Sequence, residues 1–105
     1  MRYRVSAGAA RDLDEIYFYW AGRAGLKVAD RLLDGIVDRF WLLGEHPEAG
    51  RSAEDIAAGV KCFPAGKYLV YYRKTRQGTD ILHVFHGAQE QKRAFRKAKQ
   101  SEATE

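Results

Sequence analysis

The sequence predicts an α+β domain in which a strand and a helical hairpin precede a small, mainly antiparallel sheet. Two segments in the first half show apolar residues at a helical period. From Lys67 to Gly87, two runs rich in β-branched and aromatic residues flank a polar break at Gln77-Gly78, which is typical of a β-hairpin. The 105 residues fit a single domain, with a core over about residues 1–90 and a basic tail over 91–105.

The first elements are predicted to be a short strand and two helices. Tyr3-Arg4-Val5 can form the strand, and Ser6 offers a side-chain oxygen as the N-cap of the first helix. The break from Gly22 to Gly25 separates the helices, and Gly44 and Pro47 stop the second one. The apolar stripes comprise Ala9, Leu13, Ile16, Tyr17 and Trp20 in the first helix, and Ala29, Leu32, Leu33, Ile36, Phe40 and Leu43 in the second.

Three strands complete the predicted order β-α-α-β-β-β. The segment from His46 to Gly59 is interpreted as a surface connection, Val60 to Phe63 as a strand, and Pro64-Ala65-Gly66 as the turn into the hairpin. The hairpin strands are placed at Tyr68 to Arg73 and at Ile81 to His86. We expect this hairpin to lie in the middle of the sheet.

The first hairpin strand has no clearly polar face. Alternation puts Tyr68, Val70 and Tyr72 on one face and Leu69 and Tyr71 on the other. We expect the helices to cover one face and a protein partner to lie across the other. The predicted partner-binding residues are therefore Tyr68, Leu69, Tyr71 and Tyr72.

Composition favours a soluble, cytoplasmic protein without a cofactor. The chain is 46% hydrophobic and 30% charged, and we find no signal peptide and no apolar run long enough to span a bilayer. The single cysteine, Cys62, cannot form an internal disulfide. His83 and His86 fall on opposite faces of a predicted strand, so no metal site is expected.

Positive charge is concentrated near the C-terminus. The formal net charge is +4, and a possible short amphipathic helix between Gln89 and Gln100 carries much of the excess. We expect this segment to bind an acidic target, with a solvated helix face as the alternative. The predicted target-binding residues are Lys92, Arg93, Arg96 and Lys97.

Four short motifs occur in order along the chain. They are Ala9, Asp12, Leu13, Ile16 and Tyr19 in the first helix; Pro47, Gly50 and Arg51 after the second; Tyr68, Val70, Tyr72 and Arg73 in the first hairpin strand; and Val84, His86 and Gly87 at the end of the second hairpin strand. Together they resemble the ParE branch of the RelE/ParE superfamily, the toxins of bacterial type II toxin–antitoxin pairs. Among them, Pro47, Gly50, Arg51 and Gly87 are interpreted as structural.

The resemblance implies a helical hairpin on a compact sheet and an antitoxin of the ParD kind. For characterised ParE proteins it also implies DNA gyrase as the target. Family members often follow His-Gly with one residue and then Arg-Asp, whereas this chain has Ala88, Gln89 and Glu90. Any role of that arginine therefore does not transfer to Gln89.

Two other functions agree with parts of the sequence. The RelE branch suggests a ribosome-dependent mRNA endonuclease, in which Lys61, Tyr68, Arg73 and His86 could supply the acid, the base and the cations. However, no tyrosine follows Tyr72, and lysines at their usual pKa are poor bases. A plain nucleic-acid-binding module lacks a helix-turn-helix, a zinc motif and a stacking signature, so we do not expect direct nucleic-acid binding. Non-enzymatic inhibition of a protein target is the favoured prediction.

Overall fold

The structure, a computed structural model, describes residues 3–87 and places a helical hairpin on one face of a five-stranded sheet. The elements in chain order are β1 (Tyr3–Val5), α1 (Ala7–Ala24), α2 (Leu26–Glu45), β2 (Arg51–Ser52), β3 (Val60–Ala65), β4 (Tyr68–Thr75) and β5 (Gly78–His86). The sheet order is β1-β5-β4-β3-β2, in which β1 runs parallel to β5 and the other pairs are antiparallel. The predicted α+β class is confirmed, and β4 is the central strand.

The helical hairpin is tighter than predicted. Ser6 caps α1 by accepting a hydrogen bond from the amide of Ala9 at 3.0 Å, and its hydroxyl donates to the carbonyl of Leu82 at 3.0 Å. The helix continues through Gly22, and the single residue Gly25, with φ of +93°, joins it to α2. Gly22 is exposed, so a helix can tolerate it at a modest cost in propensity. The predicted break from Gly22 to Gly25 was therefore too long.

Most of the predicted apolar stripes form the main core, between the helices and one face of the sheet. Tyr17 was wrongly assigned to the core, because its hydroxyl donates to Asp30 Oδ1 at 2.9 Å at an exposed position. Ile36 and Phe40 are buried there against Tyr72 and Ile81. The buried hydroxyl of Thr79 donates to the carbonyl of Leu43 at 3.0 Å, which ties the end of α2 to β5. Burial of these side chains supplies the main hydrophobic stabilisation of the fold.

Both hairpin turns are shorter than the sequence suggested. Ala65 pairs with Tyr68, so Pro64 belongs to β3 and only Gly66 and Lys67 form that turn. Gly66 has φ of +62°, a left-handed conformation that glycine adopts without strain. Thr75 pairs with Gly78, so β4 and β5 extend towards each other beyond their predicted ends.

The second face of the sheet is partly covered by the chain itself. Residues 53–59 fold over it, and a second buried cluster forms from Ala53, Val60, Cys62 and Tyr71. The two-residue strand β2, which leads into this loop, was not predicted because the segment from His46 to Gly59 contains Gly and Pro and shows no strand period. The expectation that a partner alone covers this face was therefore too simple.

Candidate functional site

Two of the four predicted partner-binding residues lie beneath the helices. Tyr68 is 6% exposed and Tyr72 has no exposed surface. The indole Nε1 of Trp20 donates to the hydroxyl of Tyr68 at 2.8 Å, which links α1 to the start of β4. Both tyrosines therefore serve the chain's own core, because helices occupy the space that a partner would need.

The other two predicted residues lie on the opposite face. Tyr71 is 2% exposed and hydrogen-bonds to the thiol of Cys62. Burial raises the pKa of both side chains above their ordinary values, so each stays neutral at physiological pH. Leu69 is half-buried and, with the half-buried Leu82 and Phe85, borders this second cluster. Of the four residues, only Leu69 leaves part of its side chain accessible to a partner.

The loop after α2 is held in place by Tyr72. Its hydroxyl donates to the carbonyl of Pro47 at 2.8 Å and accepts from the amide of Gly50 at 2.9 Å. A Cβ atom at Gly50 would lie 2.5 Å from this hydroxyl, so the close approach requires glycine. Arg51 follows in β2, exposed and paired in register with Cys62. The Pro-x-x-Gly-Arg segment thus has a defined structural function in which Tyr72 is the buried anchor.

Glu48 in the same loop joins two lysines on neighbouring strands. Its carboxylate lies 3.4 Å from Lys61 Nζ and 2.9 Å from Lys74 Nζ. The hydrogen bond and the charge of Lys74, followed by those of Lys61, hold the pKa of Glu48 below its usual value. These exposed ion pairs add little stability, but they hold Glu48 of the loop beside two lysines of the inner strands β3 and β4.

A groove of about 610 Å³ separates α1 from the end of β5. It is lined by Glu15, Tyr19, Trp20, Lys67, Tyr68 and His86, among others. Strand β1 reaches only Ile81, so within residues 3–87 no strand pairs with the outer edge of β5 beyond that residue. This edge provides backbone groups next to aromatic and charged side chains, a combination that suits a protein partner.

Asp12 closes part of this edge. Its Oδ2 accepts a hydrogen bond from the amide of Val84 at 3.0 Å and lies 2.9 Å from His83 Nδ1. Sequence reasoning matched Asp12 to a family pattern but assigned it no contact. Its position next to Leu13, at the border of the apolar stripe, is the signal that could have indicated a role towards the sheet.

The four residues weighed for an endonuclease form two separate groups. The rings of Tyr68 and His86 are in contact, with centroids 5.0 Å apart. At the other end of β4, Arg73 donates to the carbonyl of Ala58 at 3.0 Å, and Lys61 lies against Glu48. Arg73 lies five residue steps after Tyr68 along the strand, a distance of roughly 17 Å. The structure does not bring the four together.

Several large apolar side chains are exposed on the helices. Phe18 is 72% exposed and Leu26 is 63% exposed near the helix–helix connection. Trp41 is 53% exposed on α2, where its ring packs edge-on against Tyr3 at 6.2 Å. Exposed aromatic groups of this size are typical of protein–protein interfaces.

Other predictions concern absences or residues beyond the described part of the chain. Lys92, Arg93, Arg96 and Lys97 lie outside residues 3–87, as does the amphipathic helix expected around them. Within residues 3–87, no group of His, Cys, Asp and Glu side chains is arranged to hold a metal ion. The two helices of that region are too short or too polar to cross a membrane.

Sequence comparison with known proteins matches this chain to one family. A family model described as the ParE toxin of the type II toxin-antitoxin system, parDE, matches residues 3–91. Toxin ParE1 of Caulobacter vibrioides is 31% identical over 84 residues, which cover 80% of this chain and 86% of that protein. Toxin ParE1 of Mycobacterium tuberculosis is 30% identical over 86 residues, covering 81% and 88%.

The fold also has a counterpart among solved structures. A chain of the chromosomal ParDE TA system from P. aeruginosa superimposes with a TM-score of 0.73 at 24% identity. The match covers 84% of this chain and 97% of that one. At this level of identity the likeness concerns the fold, and the sequence matches identify the family.

Proposed function

The chain belongs to the ParE toxin family of type II toxin–antitoxin systems, and on that basis we propose that it inhibits DNA gyrase and is neutralised by a ParD-like antitoxin. The family match spans residues 3–91 and so includes every residue that the structure describes. A toxin of a type II toxin–antitoxin system has an antitoxin as its partner. We propose gyrase as the target and a ParD-like protein as the antitoxin.

One observation favours an inhibitor over a ribosome-dependent nuclease. Lys61 and Arg73 are held by Glu48 and by a backbone carbonyl at one end of β4, whereas Tyr68 and His86 lie at the other end. Cleavage of RNA needs an acid, a base and a cation around one phosphate. Residues separated by roughly 17 Å of strand cannot act on the same phosphate group.

One observation is compatible with the nuclease alternative: the rings of Tyr68 and His86 are in contact. This pair borders the groove beside α1, and His86 is exposed there. The hydroxyl of Tyr68, however, already accepts the hydrogen bond from Trp20 and is buried. A buried and occupied phenol is poorly placed to exchange protons with a substrate, so the inhibitor remains the better proposal.

The exposed side chains support binding to proteins rather than to small molecules. Aromatic and aliphatic groups on both helices offer apolar contact area, and the net charge of +4 favours acidic partners. We expect the antitoxin to use the helical face and the target to use the basic residues that follow Gly87. In this proposal Lys92, Arg93, Arg96 and Lys97 bind the target.

The discriminating experiment compares two activities of the purified chain. We expect it to block supercoiling by gyrase and to increase gyrase-dependent DNA cleavage, and to leave ribosome-bound mRNA intact. A variant with Lys92, Arg93, Arg96 and Lys97 changed to Glu should lose gyrase inhibition, and Arg11→Glu/Arg76→Glu, which changes two exposed arginines elsewhere, should retain it. Ribosome-dependent cleavage of mRNA with unchanged gyrase activity would establish the endonuclease instead.

A further inference from the structure

One side of α2 carries an apolar stripe that the rest of the described chain leaves accessible. Val28 is 40% exposed and Leu42 is 38% exposed, and Gly35 lies midway between them in the sequence. Residues at this spacing are two helical turns apart, so all three lie on one side of the helix. The stripe is therefore roughly 21 Å of apolar surface on a helix whose other side packs on the sheet.

The charged residues along one flank of this stripe change sign from one end of α2 to the other. Lys27 and Arg31 are exposed in the N-terminal half, and Asp34, Asp38 and Glu45 are exposed from the centre onward. Their spacing by three, four and seven residues places all five on the same flank. Within residues 3–87, none of the five makes an ion pair. These charges are therefore available to a partner that carries the opposite order of signs.

A second copy of α2, running antiparallel, has that opposite order. A two-fold axis through Gly35 places residues that lie equally far before and after it at the same level on the two helices. Val28 of one copy then packs against Leu42 of the other, and symmetry repeats the contact. A Cβ atom built on Gly35 meets no atom of its own chain within 4 Å. Because the distance between packed helices depends on the side chains at the contact, two facing glycines permit a close approach.

The same axis brings charges of opposite sign together. Arg31 of one copy lies within one residue step of the level of Asp38 of the other, on the same flank of the pair. Lys27 lies within two steps of the level of Glu45, so it is also within reach of a carboxylate. Each contact occurs twice by symmetry. The antiparallel arrangement also places the positive end of each helix dipole beside the negative end of the other.

We propose that this side of α2 is a self-association surface, through which two copies of the free chain form an antiparallel dimer. Net charge does not prevent the contact, because most of the excess of +4 lies outside residues 3–87, where basic and acidic side chains are nearly balanced. One pair of helices is a small interface, so we expect a weak dimer with a Kd of roughly 10–100 μM. The association is a property of the free chain and does not depend on the proposed target.

The order of the charges favours a second copy over a partner of uniform charge. A uniformly acidic helix would pair with Lys27 and Arg31 but would be repelled by Asp38 and Glu45. A uniformly basic helix would meet the reverse problem. Only a partner whose charge changes sign at the level of Gly35 satisfies both halves, and α2 itself has this pattern.

The test is sedimentation velocity of the purified full-length chain, at concentrations below and above the expected Kd. Three variants change the surface: Arg31→Glu, Asp38→Arg and Gly35→Leu. Their matched controls on α1 are Arg11→Glu and Asp14→Arg, which reverse exposed charges, and Gly22→Leu, which replaces another helix glycine with open space around it.

We expect each of the three surface variants to weaken dimerisation by about tenfold or more. Either charge reversal places like charges opposite each other twice, and the leucine keeps the helices apart. The α1 controls should dimerise within about twofold of the parent chain. An equal mixture of Arg31→Glu and Asp38→Arg should again form dimers, because each variant then offers the charge that the other lacks. This rescue by mixing requires an antiparallel pair in which residue 31 of one copy faces residue 38 of the other.

Three outcomes would overturn the proposal. The first is a parent chain that stays monomeric at every concentration. The second is a dimer that the surface variants do not weaken, and the third is a mixture that remains as monomeric as its two components. If the parent stays monomeric while Gly35→Leu loses binding to the product of the adjoining gene, the surface belongs to that protein instead. Arg31 and Asp38 are exposed, so both charge variants should fold even if Gly35→Leu does not.

Discussion

The hydroxyl of Tyr72 lies 2.9 Å from the amide nitrogen of Gly50, although 22 residues separate them in the sequence. The same hydroxyl donates to the carbonyl of Pro47, so one buried phenol satisfies two backbone groups of the loop after α2. Tyr72 itself is fully buried under the helices. The contact therefore connects the main core directly to the Pro-x-x-Gly-Arg segment.

Replacing Gly50 by Ala should destabilise the fold. The new Cβ would lie 2.5 Å from the Tyr72 hydroxyl and 2.7 Å from the carbonyl oxygen of Cys62, and the second atom is backbone that cannot rotate away. We expect a loss of about 1–3 kcal/mol in the free energy of unfolding, measured in urea. The control Gly22→Ala adds a Cβ to open space on α1 and should gain about 0.5–1 kcal/mol. Equal effects of the two substitutions would show that the loop moves to accept the methyl group.

The sequence predicted the positions of Gly50 and Tyr72 but not their contact. The apolar stripes and the strand alternation follow local periods, so the helices, the central hairpin and the two faces of β4 could be predicted. A hydrogen bond across 22 residues depends on how the loop folds back on the sheet, and no local period encodes it. Periodicity correctly placed Tyr68, Val70 and Tyr72 on one face of β4. It did not show that the helices bury both tyrosines and so close them to a partner. Periodicity assigns a face but does not show how completely other elements cover it.

Asp12 should contribute more to stability than its neighbour Asp14 on the same helix. Its carboxylate accepts a hydrogen bond from the amide of Val84 at the outer edge of β5 and contacts His83. Asp12→Ala leaves that amide without its acceptor at a part-buried site, and we expect a loss of about 1–3 kcal/mol in unfolding free energy. Asp14 is exposed, so Asp14→Ala should change it by less than about 0.5 kcal/mol.

Asp12→Asn distinguishes the hydrogen bond from the charge. The amide oxygen of Asn can still accept from Val84, so this variant should recover a substantial part of the loss in the alanine variant. Hydrogen exchange at the Val84 amide gives an independent measure, because this amide should exchange faster in Asp12→Ala than in Asp12→Asn. Unchanged protection in the alanine variant would mean that another group protects the edge of β5.

Sequence reasoning could not locate the groove along α2 either. This groove, of about 380 Å³, lies between α2 and the turn at Gly66, and its lining includes Arg31, Gly35 and Arg39, which lie off the predicted apolar stripe. The groove exists because the turn at Gly66 comes close to α2, which depends on the packing angle between the helix and the sheet. Residues that share one groove can be recognised only when tertiary structure brings them to one surface.

The buried ionisable groups predict a loss of stability at alkaline pH. Burial is the main cause that raises the pKa of Tyr71 and Tyr72 above 10.0 and that of Cys62 above 9.0. Below about pH 8 these groups are essentially neutral in the folded and unfolded chains, so their full contribution to stability is present. Above the unfolded pKa values the unfolded chain releases protons that the folded chain retains, and the free energy of unfolding falls as pH rises. The decline should be at most about 1.4 kcal/mol per pH unit for each group.

Urea unfolding between pH 8 and pH 11 tests this prediction. Tyr71→Phe removes the hydroxyl whose pKa is raised most, by burial and then by the charge of Cys62, so its stability should decline less steeply above pH 10. The control Tyr19→Phe changes a ring that is 52% exposed and should decline as steeply as the parent chain. Parallel curves for all three proteins would show that other groups cause the alkaline loss. A flatter curve for Tyr71→Phe alone would locate it in the cluster of Tyr71 and Cys62, on the face of the sheet away from the helices.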